Sequence, residues 1–143
     1  MIAIDTNILV YAHREDSPFH EKAFACLSDL SATPSPWCIP WACLHEFFAI
    51  VTHPRIYLPP STLEQAIEQI EAWLEAPNLM TLTESTDHWE TLKRGLRSGK
   101  IVGPRVHDAR IATVCLQHGI TELWSADRDF GRFPELETRN PLV

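Results

Sequence analysis

Short apolar runs alternate along this chain with stretches of helical periodicity. Ile2-Ala3-Ile4 is a strand-like run that ends at Asp5-Thr6-Asn7, and Ile8-Leu9-Val10-Tyr11-Ala12 continues as a packed helix would. Glu21 to Leu30 predicts a helix with Ala23, Phe24, Leu27 and Leu30 turned inward; Thr33-Pro34-Ser35-Pro36 breaks it before a strand at Trp37-Cys38-Ile39. Trp41 to Val51 predicts a helix carrying Glu46, closed at His53-Pro54 because a proline ring disfavours helix in the residue before it.

Ser61-Thr62-Leu63-Glu64 has the form of a capping box, with Leu63, Ala66, Ile67, Ile70, Trp73 and Leu74 repeating behind it at helical spacing. Leu79 to Leu82 alternates weakly, like a strand, and Thr86 to Arg97 predicts a helix with Trp89, Leu92 and Leu96 on one face. His107 to Gln117 is apolar on most sides, as a helix buried against a sheet would be; Asp108 lies in its first turn and Gly119 stops it. Glu122 to Ser125 is the last full strand, leading to Ala126-Asp127-Arg128-Asp129-Phe130, and Thr138-Arg139 suits a short edge strand. Strands alternating with helices predict an α/β fold with a parallel sheet covered on both faces. Such sheets bind ligands beyond the carboxyl ends of their strands, where the strand order reverses. Asp5 and Asp127 both follow a strand.

The length of 143 residues suits a single domain spanning 1–143. No apolar run approaches the roughly 18 residues of a membrane span, and the start Met1-Ile2-Ala3-Ile4-Asp5 does not have the form of a signal peptide. A soluble, cytoplasmic protein is expected. Cys26, Cys38, Cys43 and Cys115 contain no Cys-x-x-Cys pair and read as small hydrophobes in a reducing compartment. The net charge of −7 argues against a general nucleic-acid coating protein. Charge is nevertheless segregated: Ile56 to Leu92 has no Lys or Arg, and then Lys93, Arg94, Arg97, Lys100, Arg105 and Arg110 follow closely. That run suits either a basic rim for an anionic substrate or a solvated helix face.

Most acids in any protein are solvated surface charges. Asp5, Glu46, Asp108 and Asp127 differ because each is set in an apolar element. If those elements pack with their polar ends together, the carboxylates repel one another, and a cation resolves the repulsion. Oxygen-only ligation suits Mg²⁺ or Mn²⁺, whereas zinc would recruit His or Cys. Thr6, Asn7 and Ser125 are placed to hydrogen-bond the carboxylates, although Thr6 and Asn7 serve equally as helix caps.

Four stretches in order resemble the PIN-domain nucleases over nearly the whole chain: Ile4-Asp5-Thr6-Asn7-Ile8-Leu9, Leu44-His45-Glu46-Phe47, His107-Asp108-Ala109-Arg110-Ile111-Ala112 and Ser125-Ala126-Asp127-Arg128-Asp129-Phe130. Within that family the resemblance is to the VapC toxins of type II toxin–antitoxin modules. It implies a compact α/β/α sandwich with a short, mostly parallel sheet, and a ribonuclease dependent on Mg²⁺ or Mn²⁺. Asp5 and Asp108 match the principal metal ligands, Glu46 the central acid, Asp127 the fourth acid and Asp129 a less constant acidic position. A VapB-like antitoxin partner and a homodimer are further implications.

The chemistry expected is in-line attack by an activated water on an RNA phosphodiester, with one or two cations, leaving 5′-phosphate and 3′-hydroxyl ends. Arg110, Arg128 and the run Lys93, Arg94, Arg97, Lys100 and Arg105 are candidates for holding the RNA backbone. A haloacid-dehalogenase-like phosphatase is the first alternative, weakened because its Asp-x-Asp is Asp5-x-Asn7 here. A non-catalytic binding module on the same fold is the second. A zinc protease fails because Ala49 stands where His-Glu-x-x-His requires histidine. Trp41, Phe47, Phe48, Trp73 and Trp89 suit the core first and an interface second.

Overall fold

The structure, a computed structural model, describes residues 1–127 and 129–143 and, of Asp129, only the backbone. Its centre is a five-stranded sheet of β1 (Ile2–Ile4), β2 (Trp37–Pro40), β3 (Leu79–Leu82), β4 (Glu122–Trp124) and β5 (Glu137–Arg139). All pairings are parallel and the order is β3-β2-β1-β4-β5. Ala3, Ile4, Trp37, Cys38 and Ile39 are wholly buried. Central parallel strands are covered on both faces, so they read as continuous apolar runs without alternation.

The helices are α1 (Thr6–His13), α2 (His20–Ala32), α3 (Trp41–Val51), α4 (Leu63–Leu74), α5 (His88–Gly99) and α6 (Val106–Gln117). Right-handed crossovers from β1 to β2 to β3 put α1–α4 on one face, and the return from β3 to β4 puts α5 and α6 on the other. The packing agrees: α1 lies on α2 and α3, and α5 on α6. This is the expected three-layer α/β/α sandwich. The chain leaves β1 towards β2 on one side and comes back to β4 on the other, so the strand order reverses between β1 and β4.

Asn78 secures the edge that carries α3. Its side-chain amide donates to the carbonyls of Leu30, Thr33 and Ser35, and its oxygen accepts from the Trp37 indole. The α2–β2 loop is thereby tied to the start of β3.

Several expectations need correction. Phe24, Leu63, Leu74 and Trp89 are exposed: Phe24 flanks the buried Ala23 and Leu27 of α2, and the other three lie in the first or last turn of their helices. The capping box exists one residue later: Thr62 caps α4, with Gln65 reciprocating. Ser61 is instead drawn inward to His13, 2.9 Å from its ring. Helix α5 begins at His88, not Thr86. The cysteines are free, with Cys38, Cys43 and Cys115 buried. Among the described residues no helix is long and apolar enough to cross a membrane.

Candidate active site at the carboxyl ends of the central strands

Asp5 occupies the point of strand reversal. Its backbone N–H extends the β1–β4 ladder by donating to the Trp124 carbonyl at 3.0 Å. Its side chain caps α1: Oδ1 accepts from the Thr6 N–H at 2.8 Å. The cap is therefore Asp5 itself, which releases Thr6 and Asn7 for other work. Thr6 Oγ1 donates to Glu46 Oε2 at 2.9 Å, linking the start of α1 to the middle of α3. Asn7 Nδ2 donates to Ser125 Oγ at 3.1 Å, while Asn7 Oδ1 accepts from the Ala126 N–H at 3.0 Å.

Ser125, directly after β4, closes the arrangement. Its hydroxyl donates to Asp5 Oδ2 at 2.6 Å and accepts from Asn7 Nδ2 and from the Asp127 N–H at 3.0 Å. One proton and two lone pairs are thus fully used. The hydroxyl fixes the Asp5 carboxylate and the turn bearing Asp127 together.

The Asp5 carboxyl is 5% exposed, and burial pushes its pKa up to about 6 against the donors Ser125 and Thr6, which favour the anion. The negative charges of Asp108 and Glu46 raise it further, so both acids lie within electrostatic reach. Asp108 sits in the first turn of α6, brought from the opposite helical layer. One contact was not foreseen: the buried Cys43 thiol lies 3.8 Å from Asp5 Oδ1. Its spacing of three from Glu46 places both on one face of α3, and that spacing is the sequence signal for it.

Asp5, Glu46, Thr6, Asn7, Ser125 and the turn of Asp127 are therefore brought together, with Asp108 alongside. Among the described residues no group of three or more His, Cys, Asp or Glu side chains is placed to hold a metal ion. Mg²⁺ retains several waters and is commonly held by one or two carboxylates. A buried acid with a raised pKa, flanked by two further negative charges, fits such a hard cation.

Of the candidate RNA contacts, Arg110 is ion-paired with Glu84 and Lys93 with Glu90. Arg94 donates to Thr91 Oγ1, whereas Arg97 and Lys100 lie exposed at the end of α5 and Arg105 in the turn before α6. Arg128 and the side chain of Asp129 lie outside the described residues.

The raised pKa has a signed consequence. The folded state holds the Asp5 proton more tightly than the unfolded chain, so this contribution is fully present below about pH 4 and lost as pH rises through about 6. His13, whose pKa burial lowers, acts in the opposite sense below its ordinary value. Comparison with Asp5→Asn isolates the Asp5 effect. In chelator, the stability of the variant relative to wild type should rise by roughly 2 kcal/mol between pH 4 and pH 7. Urea denaturation at both pH values measures it, and a constant difference would contradict the assignment of a buried, destabilised anion.

The chain matches the family model described as PIN domain over residues 2–136. It is 34% identical to Ribonuclease VapC43 of Mycobacterium tuberculosis over 142 residues, covering 99% of this chain and 96% of that protein. It is 32% identical to Ribonuclease VapC48 of the same organism, covering 96% and 95%. Among solved structures, VapBC-1 from nontypeable Haemophilus influenzae superposes with a TM-score of 0.70 at 17% identity, covering all of both chains. VapC20 of Mycobacterium tuberculosis, described as a Sarcin-Ricin loop cleaving toxin, gives 0.69 at 15% identity, covering 92% and 93%. The strand reversal at Asp5 and the match along the chain lead to one assignment: the chain belongs to the PIN domain family and, within it, to the VapC group.

Proposed function

We propose that the chain is a Mg²⁺- or Mn²⁺-dependent endoribonuclease, a single domain that acts in the cytoplasm as the toxin of a toxin–antitoxin pair. The observation that carries this is the buried Asp5 carboxylate, fixed by Ser125 and Thr6 at the strand reversal with Glu46 and Asp108 in electrostatic reach. Relatives named as ribonucleases over nearly the full length support the activity. Solved neighbours described as VapBC-1 and as a toxin–antitoxin complex from Klebsiella pneumoniae support a VapB-like partner.

When bound, the cation polarises the phosphoryl oxygens and lowers the pKa of a water molecule. The protein's part is positioning. Asp5 and Asp108 would hold the ion, with Ser125 and the Thr6 N–H fixing which Asp5 oxygen faces it. Glu46, steadied by the Thr6 hydroxyl, would orient the attacking water and accept its proton. Asp127, carried on the turn that Ser125 fastens, would complete the ligand set.

The test is cleavage of single-stranded RNA with Mg²⁺, with Mn²⁺ and with chelator, the ends mapped by sequencing. Fragments with 5′-phosphate ends that vanish in chelator are expected. Cleavage that persists in excess chelator, or no cleavage with either ion, would overturn the proposal.

A further inference from the structure

Cys43 is wholly buried in the first turn of α3, and its thiol donates towards Asp5 Oδ1 at 3.8 Å. Burial, and then the negative charge of Asp5, push the thiol's pKa well above its ordinary value, so it has a proton to donate. No step of the proposed reaction uses it. The last torsion of an aspartate is broad and roughly two-fold, so neighbouring donors and not a rotamer well set the plane of the carboxylate. At Asp5 these donors come from three parts of the fold. Oδ1 accepts from the Thr6 N–H of α1 and from the Cys43 thiol of α3; Oδ2 accepts from the Ser125 hydroxyl beyond β4 and, at 3.5 Å, from Asn7 Nδ2 of α1.

The thiol contact bears on Glu46 as well. Cys43 and Glu46 are three residues apart on one face of α3. Cys43 is tied to the Asp5 carboxylate and Glu46 to the Thr6 hydroxyl at 2.9 Å, while the Thr6 N–H is bonded to the same Asp5 oxygen as the thiol. Two ties about one turn apart fix both the distance and the angle between α3 and the start of α1. The Glu46 tie alone would fix a point and leave the angle between the two carboxylates to packing.

We propose that Cys43 is a positioning residue, whose S–H group holds the Asp5 carboxylate in one plane and in one setting against Glu46. The inference rests on the cation site proposed above and deepens it, naming a side chain that sets the site without touching ion or RNA.

The experiment has two arms. The first is infrared spectroscopy of the S–H stretch at a pH well above 6, where Asp5 is ionised; it needs neither activity nor RNA. The band missing from Cys43→Ala belongs to Cys43. It should move to higher frequency in Asp5→Asn, because a neutral amide is a weaker acceptor than a carboxylate, and it should persist in wild type saturated with Mn²⁺. An unmoved band in Asp5→Asn would overturn the proposal, since the thiol would then not be bonded to Asp5. Loss of the band with Mn²⁺ would overturn it too, by making Cys43 a ligand.

The second arm is cleavage. Cys43→Ala should lower kcat about tenfold at unchanged KM, the lower end of what loss of an outer-sphere partner costs, because a thiol is a weak donor. Cys43→Ser restores a donor and should recover most of the loss. A side chain that only fills space predicts the reverse order, since alanine keeps the position apolar and serine buries a hydroxyl. That reverse order, or wild-type kcat in Cys43→Ala, would overturn the proposal. If the wild-type protein cuts no RNA while the S–H band shifts as expected, Cys43 stands as the residue that sets Asp5 and the nuclease function falls.

Discussion

Asp5→Asn should leave the protein folded and slow RNA cleavage by more than the roughly 10- to 100-fold that follows loss of an outer-sphere partner of a metal ligand. The amide matches the carboxylate in shape, so its oxygen can still accept from the Thr6 N–H and cap α1. What is lost is the negative charge, together with the fit to Ser125. That hydroxyl donates to Asp5 Oδ2 and already accepts twice, so an amide nitrogen facing it has no lone pair to meet. This misfit costs about 1 kcal/mol of hydrogen bonding, which removal of a buried anion offsets at neutral pH. Single-turnover cleavage beside circular dichroism separates the two effects. A variant cutting at the wild-type rate would show that Asp5 is not at the reacting centre.

The second large effect lies in the core that holds Glu46 in place. Phe47→Ala should destabilise the protein by about 3 to 5 kcal/mol. Phe47 is fully buried; its ring stacks edge-on against Trp73 at 4.8 Å and against His13 at 5.3 Å, joining α3 to α4 and α1. The void left by alanine would be bounded by rigid rings on neighbouring helices, so it collapses poorly. Since many domains have only 5 to 15 kcal/mol in total, the variant should unfold at much lower urea concentration. Phe47→Leu, which fills most of the space, should cost roughly 1 to 2 kcal/mol. Urea midpoints at constant slope measure both, and a loss below about 1 kcal/mol for alanine would mean that α3 is anchored elsewhere.

The central strands were legible because burial on both faces leaves an unbroken apolar run: Ile2-Ala3-Ile4 and Trp37-Cys38-Ile39 are both strands next to each other. Asp5 was legible for the same reason, as the first polar residue after such a run. Helix edges were less so. Phe24 and Trp89 fit the periodicity of α2 and α5 but fall where no second element covers them, and sequence spacing carries no information about the neighbour. The overlapping boxes Ser61-x-x-Glu64 and Thr62-x-x-Gln65 are locally equivalent, and the choice between them comes from His13, 48 residues away, holding Ser61.

The same limit applies at the site. That Asp5 lies near Ser125 and Glu46 depends on contacts 120 and 41 residues apart in sequence, the first seen directly at 2.6 Å and the second bridged by Thr6. A family resemblance supplies those pairings and local pattern does not. Counting basic residues likewise suggested one continuous rim from Lys93 to Arg110. The structure divides it: Lys93 and Arg110 are ion-paired, Arg94 donates to Thr91 within electrostatic reach of Asp87, and Arg97 and Lys100 lie exposed at the end of α5.

Titration calorimetry with Mn²⁺ on the wild-type protein and on Asp5→Asn tests the central claim most directly, because it reads the cation without relying on any RNA. A saturable site in the wild type, weakened at least tenfold in the variant, is the expected result. No saturable binding to the wild type, or equal affinity in the two proteins, would contradict a divalent-cation centre built on Asp5.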